Sequence, residues 1–367
     1  MPDNPISGKA GNTTRLNQLL SNFNENENLE VTFVSLRDWG MWNNNDEVLF
    51  KQKYPNISFY SLDKKYKKNF FKYFFLYKIP YFFKNNSIDL TSFILRKEFS
   101  EIIKKNSFDT AIISYAVWGK LVEGLSDNVY KIIDTHDFIT AQSRDKENKI
   151  GKLFQDEINI LRKFNEIWTY SIEEAYIFEQ FTGKKITLMP VSFPFNYYQH
   201  TNDFKYDVIY VASDNQHNIT GIHWFLHDVL PSLNNINIHL IGKICNTISE
   251  EYPNVIKHGV VDDIDSFYKK ARIAICPMLS GTGIKIKVLE ALSFGLPVVT
   301  NRRGVDGLIN KTNNGCVVAE DSQDFANAIT RLISDNNYYE RIKSNGINYF
   351  SENHNPETEK KIISISL

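Results

Sequence analysis

Apolar and polar positions along this chain switch repeatedly between a strand period and a helix period. Val31-Thr32-Phe33-Val34-Ser35-Leu36 is β-branched and alternating, which predicts a strand. Asp109–Ser114 and Lys131–Thr135 are short apolar runs, the pattern of parallel strands buried on both faces. Thr13–Asn22 predicts a helix, and Leu153, Ile158, Leu161 and Phe164 fit one helical face between Lys149 and Asn165. Glu166–Ser171 predicts another strand. Ser171 then caps a helix that opens at Ile172, with Glu174 at the capping-box position. Ile186–Pro190 predicts the last strand of the first half, and Val191–Asp203, polar with Pro194, predicts a linker. Strands and helices then alternate again to about Ser344, after which the chain turns polar. Such alternation builds open parallel sheets covered by helices. The expectation is α/β, with one Rossmann-like domain over 1–195, a second over 196–345, and a helix or tail over 346–367.

Composition adds limits. The 367 residues are too many for one ordinary core. With 42 Lys+Arg against 43 Asp+Glu, overall charge does not point to nucleic acid. Cys245, Cys276 and Cys316 lack metal-site spacing and suit a reducing compartment. No apolar run reaches the roughly eighteen residues of a membrane span, and Met1 opens no secretory signal, so a cytoplasmic location is expected. Patterns of the serine hydrolases, zincins and P-loop proteins are absent.

The chemistry concentrates in 273–300. A buried-strand run, Ile273–Cys276, leads to Gly281-Thr282-Gly283, then to a helix expected near Ile284, then to Gly295, Pro297 and a second strand. Gly281 and Gly283 allow a sharp turn and a close backbone approach to a ligand. The helix start aims unpaired N–H groups and a positive dipole end at the same place, and Lys287 adds charge. This is a site for phosphate. Glu290, one turn further in, suits hydroxyl groups, and a diphosphate beside a diol is what a nucleotide-sugar presents. Lys285 is read as pointing to water. Ser213 and Asn218 follow the first strand of the second half, where they contact phosphate or stabilise a turn. Thr135-His136-Asp137 follows a strand at the carboxyl edge where open α/β sheets bind ligands; Asp134 and Asp137 flank the histidine and could orient it. Asp262-Asp263-Ile264-Asp265 imitates a metal motif but precedes a helix, and capping is the expected role.

Gly281-Thr282-Gly283, Lys287-Val288-Leu289-Glu290-Ala291 and Gly295-Leu296-Pro297-Val298-Val299 resemble the donor site of retaining GT-B glycosyltransferases of family 4 (group 1). Tyr206–Ser213, His239–Gly242 and His258–Asp263 resemble earlier strands of that family's C-terminal domain. The family often has two glutamates seven residues apart; here Thr282 holds the first position and Glu290 the second. The resemblance implies a GT-B fold with two Rossmann-like domains facing across a cleft, and sugar transfer from a nucleotide-sugar to a hydroxyl acceptor of a bacterial polysaccharide or lipid-linked glycan. It implies donor contacts from Ser213, Asn218, Gly281, Thr282, Gly283, Ile284, Lys287 and Glu290, and base contacts from Gly259 and Val260. It places His136 and Asp137 at the transferred sugar, and Gly8, Lys9 and Gly11 in an acceptor-side loop. It implies no metal and no cofactor beyond the donor. It also implies a first strand ahead of that loop, which the chain lacks. The rival readings are a degenerate GT-B domain kept for binding and a GT-B-fold nucleotide-sugar epimerase.

Lys64–Lys84 stands apart, with seven lysines, ten aromatic residues and no acid in 21 positions. Such a belt suits an anionic membrane surface, which would make the protein peripheral at the inner face of the cell membrane. The alternative is a helix packed on the first sheet with its lysines in water; nucleic acid is a third and weaker reading.

Overall fold

The computed structural model describes residues 1–7, 11–63, 69–143, 149–197 and 204–366. They form two compact units, Met1–Thr169 with Glu174–Met189, and Tyr170–Glu173 with Pro190–Ser366. The change of unit at Met189/Pro190 lies slightly before the 195/196 boundary drawn from composition. Residues 346–366 are helical, within Asn336–Asn353 and Pro356–Ser366, and belong to the second unit. Their sequence is polar on average, yet Tyr349, Phe350 and Ile363 are buried, the Ser192 hydroxyl bonds the Glu359 carboxylate, and His354 Nδ1 lies 2.9 Å from the Val191 carbonyl.

In the first unit, β1 (Val31–Leu36) pairs in parallel with β2 (Ile57–Leu62). A second parallel sheet runs in the order β3 (Thr110–Ser114), β4 (Tyr130–Asp134), β5 (Glu166–Thr169), β6 (Lys185–Leu188). Ile132, Ile133, Ile167 and Trp168 in its central strands have no exposed surface, which is why these strands are continuous apolar runs rather than alternating ones. The two sheets do not join. A cavity of about 500 Å³ follows β1 on one side and β3 on the other, lined by Val31, Phe33, Val34, Ala111, Ile113 and their neighbours. Met1 enters at its far end, where its amine donates to the Val34 carbonyl at 3.2 Å, and burial pushes that amine down to about 6. Among the described residues no strand precedes Val31. The order β2-β1-gap-β3-β4 among the described residues is that of a doubly wound sheet interrupted at its central position.

The second unit carries one six-stranded parallel sheet. Its order is β12 (Cys316–Ala319), β11 (Val298–Asn301), β10 (Ala271–Cys276), β7 (Tyr206–Val211), β8 (Ile238–Ile241), β9 (Val255–Gly259). Helices cover both faces: Phe225, Phe325 and Ile329 fill one side, and Leu289, Leu292 and Phe350 the other. Each strand ends its buried run at the same edge, so the loops after β7, β8, β9 and β10 share one side of the sheet.

Around the start of the helix Ile172–Thr182 the carboxylates of Glu173 and Glu174 take different partners. The Glu174 carboxylate accepts from Thr169 Oγ1 at 2.9 Å, and Ser171 Oγ donates to Glu173 at 2.8 Å. The aromatic segment does not pack on a sheet. Phe70–Tyr73, Phe74–Lys78 and Ile79–Phe82 form consecutive helical turns, the middle one a π-helix, and none of their residues is buried. Phe70 is 74% and Phe82 84% exposed. Lys64–Lys68 lie outside the described residues.

Candidate functional site

The carboxyl edge of the second sheet assembles the main site. After β7, Asn215 caps the helix Gln216–Trp224, its side chain accepting from the Asn218 N–H at 3.0 Å. Asn218 is thereby fixed in the first turn. Its amide donates to the Ser213 carbonyl at 3.0 Å and to Ser213 Oγ at 3.3 Å. Its oxygen accepts from the Lys287 ammonium, which sits 5.1 Å above the Tyr210 ring. Ser213, Asn218 and Lys287, spread over 75 positions of sequence, thus meet at one point.

Lys287 stands in the first turn of the helix Ile286–Ser293, which has no side-chain cap. The helix begins two residues later than the pattern predicts, so Ile284 belongs to the loop. Lys285 does not point to water: it is buried, and its ammonium donates to the carbonyls of Thr282 at 3.2 Å and Gly283 at 2.7 Å. It braces the loop from beneath. Burial lowers the pKa of both lysines. Gly281 and Gly283 have φ of 97° and 69°, a conformation costly for any residue with a Cβ. The result is a cationic pocket edge: an open helix N-terminus, a desolvated ammonium and a glycine turn facing the same side.

Glu290, one turn deeper, is partly buried and accepts from the Tyr268 hydroxyl at 3.3 Å; burial raises its pKa. After β9, Gly259 has φ of 70° and no atom within 4 Å of where a Cβ would stand, and Val260 beside it is 70% exposed. Both fit an open surface for a flat group. Asp263 caps as expected, accepting from the Ser266 N–H at 3.1 Å.

Three contributors have no clear signal in the sequence. His217 Nδ1 lies 2.7 Å from Ser280 Oγ, joining the loop after β7 to the glycine loop. Tyr268 anchors Glu290. Gly221 lets the helix press on that loop, since a Cβ there would stand 1.8 Å from the Pro277 carbonyl oxygen. Only the fold makes these contacts.

In the first unit, His136 follows β4 with φ of 59°, and Tyr115 follows β3 with φ of 65°. Two non-glycine residues in the left-handed region on adjacent strand ends store strain, as functional sites often do. Their rings stack at 4.3 Å and 18°. His136 Nε2 lies 2.9 Å from the carboxylate of buried Asp134, which also accepts from Ser114 Oγ at 3.2 Å. Asp134 therefore orients the imidazole. Asp137, the next residue, is exposed to solvent; partial desolvation raises its pKa against the opposing pull of His136. The next turn is clamped by buried Glu157, which accepts from the Ile139 and Thr140 N–H groups at 2.9 Å. Gly8 and Lys9 lie outside the described residues; Gly11 opens the helix Gly11–Glu25.

A family model described as Glycosyl transferases group 1 matches residues 205–335. An uncharacterized 44.6 kDa protein in the cps region of Klebsiella pneumoniae is 25% identical over 65% of this chain and 71% of its own length. The structure of Anabaena HepE in complex with UDP superposes with a TM-score of 0.68 at 14% identity, covering 100% of this chain and 97% of that one. Sucrose-phosphate synthase from Thermosynechococcus elongatus gives the same TM-score and identity over 99% of this chain and 95% of its own. The chain therefore has the GT-B fold, and its residues 205–335 are similar to the glycosyl transferases group 1 family.

Proposed function

We propose that this protein is a glycosyltransferase that takes a sugar from a nucleotide-sugar and passes it, with retention of configuration, to a hydroxyl acceptor. The observation that carries the reading is the meeting of Lys287, Asn218 and Ser213 at the uncapped N-terminus of Ile286–Ser293, beside two left-handed glycines. These are preorganised donors aimed where a leaving diphosphate gathers charge, which is electrostatic catalysis. Glu290 receives the ribose hydroxyls, and Gly259 with Val260 meets the base. His136, held by Asp134, hydrogen-bonds the transferred sugar. The positive charge comes from the chain itself, so no metal is assigned to the diphosphate.

HepE is described with UDP and with UDP-glucose, which supports a uridine donor here. The cps-region relative supports a polysaccharide or lipid-linked acceptor. The exposed rings of 70–83, with Lys72 and Lys78 among them, suit the interface of an anionic membrane carrying such an acceptor. No helix of the described residues is long and apolar enough to cross a membrane. A second reading, a GT-B domain kept for binding, draws on Thr282 at the position where the family often has a glutamate.

UDP should raise the melting temperature, and Glu290→Ala should weaken that rise without unfolding the protein. If neither nucleoside diphosphates nor their sugars move the melting curve at millimolar concentration, the donor assignment fails. Binding without turnover on supplied acceptors would favour the second reading.

A further inference from the structure

The helix that presents Asn218 continues past its last α-helical residue, Trp224, into a π-helical turn, Phe225–Val229. His223 and His227 stand on this stretch with their rings 6.2 Å apart and 17° from parallel. Glu250, in the loop after the short helix Lys243–Thr247, faces them. One ligating atom from each of the three residues lies within 4.8 Å of the other two. We propose that His223, His227 and Glu250 form a zinc site.

The donor set fits the ion. Two neutral imidazoles and one carboxylate, with water in the fourth position, is a tetrahedral arrangement that zinc accepts. With bonds of about 2.0–2.1 Å the ligand atoms of such a site stand about 3.4 Å apart. The observed spread closes to that through side-chain rotation alone, since His227 and Glu250 are exposed and His223 is half-buried.

The surroundings prepare the carboxylate. Lys257 donates to the carbonyls of Ile248 at 3.1 Å and Glu250 at 3.2 Å and takes the Glu251 carboxylate at 2.8 Å. The loop backbone is thus pinned, and the Lys257 ammonium is taken up by the neighbouring Glu251 carboxylate. His223 lies more than a helical turn beyond Asn218, so the ion would clip the loop to the helix and take no part at the donor diphosphate.

The test uses the full chain, stripped with a chelator. Zinc should bind with one equivalent by calorimetry and raise the melting temperature, and cobalt(II) should give the strong visible absorption of a low-coordinate ion. His223→Ala, His227→Ala and Glu250→Ala should each weaken zinc binding at least 10-fold. These side chains are largely on the surface, so the variants should keep their circular dichroism and their response to UDP. Absence of zinc binding at tens of micromolar overturns the proposal. So does zinc binding that survives both histidine substitutions together.

Discussion

Lys287→Met tests the donor assignment most directly, because the residue has a different value with and without ligand. Its ammonium is partly desolvated, rests on the Tyr210 ring and bonds Asn218. Methionine keeps the unbranched stem and removes the charge. A hydrogen bond to a charged group contributes about 1.5–3 kcal/mol net, so UDP should bind about 10- to 150-fold more weakly. The free protein should lose much less. The substitution orphans the Asn218 oxygen, a cost of about 1–3 kcal/mol, but it also removes an ammonium held away from water. Burial lowers the Lys287 pKa below the unfolded value of 10.5. Between those two values the unfolded chain binds more protons, so this residue makes stability rise with pH in that window; the methionine variant should lose that rise. Calorimetric titration with UDP and denaturant melts of the free protein measure the two effects. Lys285→Met is the control: it braces the Thr282 and Gly283 carbonyls, so it should cost stability as well as affinity. An unchanged UDP affinity in the Lys287 variant would refute the reasoning.

Further expectations concern other parts of the molecule. His136→Ala should lower turnover more than UDP affinity, since the diphosphate contacts are assigned to the second unit; equal losses would mark the histidine as structural. Burial raises Glu174 from 4.5 to about 7, so its contribution is fully present below pH 4.5 and lost as pH rises through 7, a change on the order of 3 kcal/mol. Glu174→Gln should flatten that fall, and denaturant melts from pH 4 to 8 will show whether it does. Replacing Phe70, Phe71, Phe82 and Phe83 with serine should abolish salt-sensitive sedimentation with anionic vesicles; unchanged sedimentation would free the segment from any lipid role. A five-residue β-branched strand joined ahead of Met1 should pair with both β1 and β3 and raise the melting temperature, whereas the same segment carrying a central proline should not.

The parallel α/β architecture, the strand positions and the glycine turn at 281–283 were legible in the sequence because each is a local signal. Buried parallel strands must be apolar runs, and a turn through positive φ nearly requires glycine. The start of the helix after the glycine turn was legible for the same reason, to within two residues. What the tertiary structure decided were the pairings between distant positions. Nothing near Lys285 in sequence says that it turns inward to brace two carbonyls while Lys287 reaches Asn218, 69 residues away. Tyr268 under Glu290, Tyr115 against His136, and Gly221 against Pro277 likewise arise only when separate loops arrive at one sheet edge. Polar composition concealed the burial of Tyr349 and Phe350, and the aromatic pattern of 70–83 could not say whether a core would cover it. An apolar side chain is buried only if another element is there to receive it, and that is a property of the assembled fold.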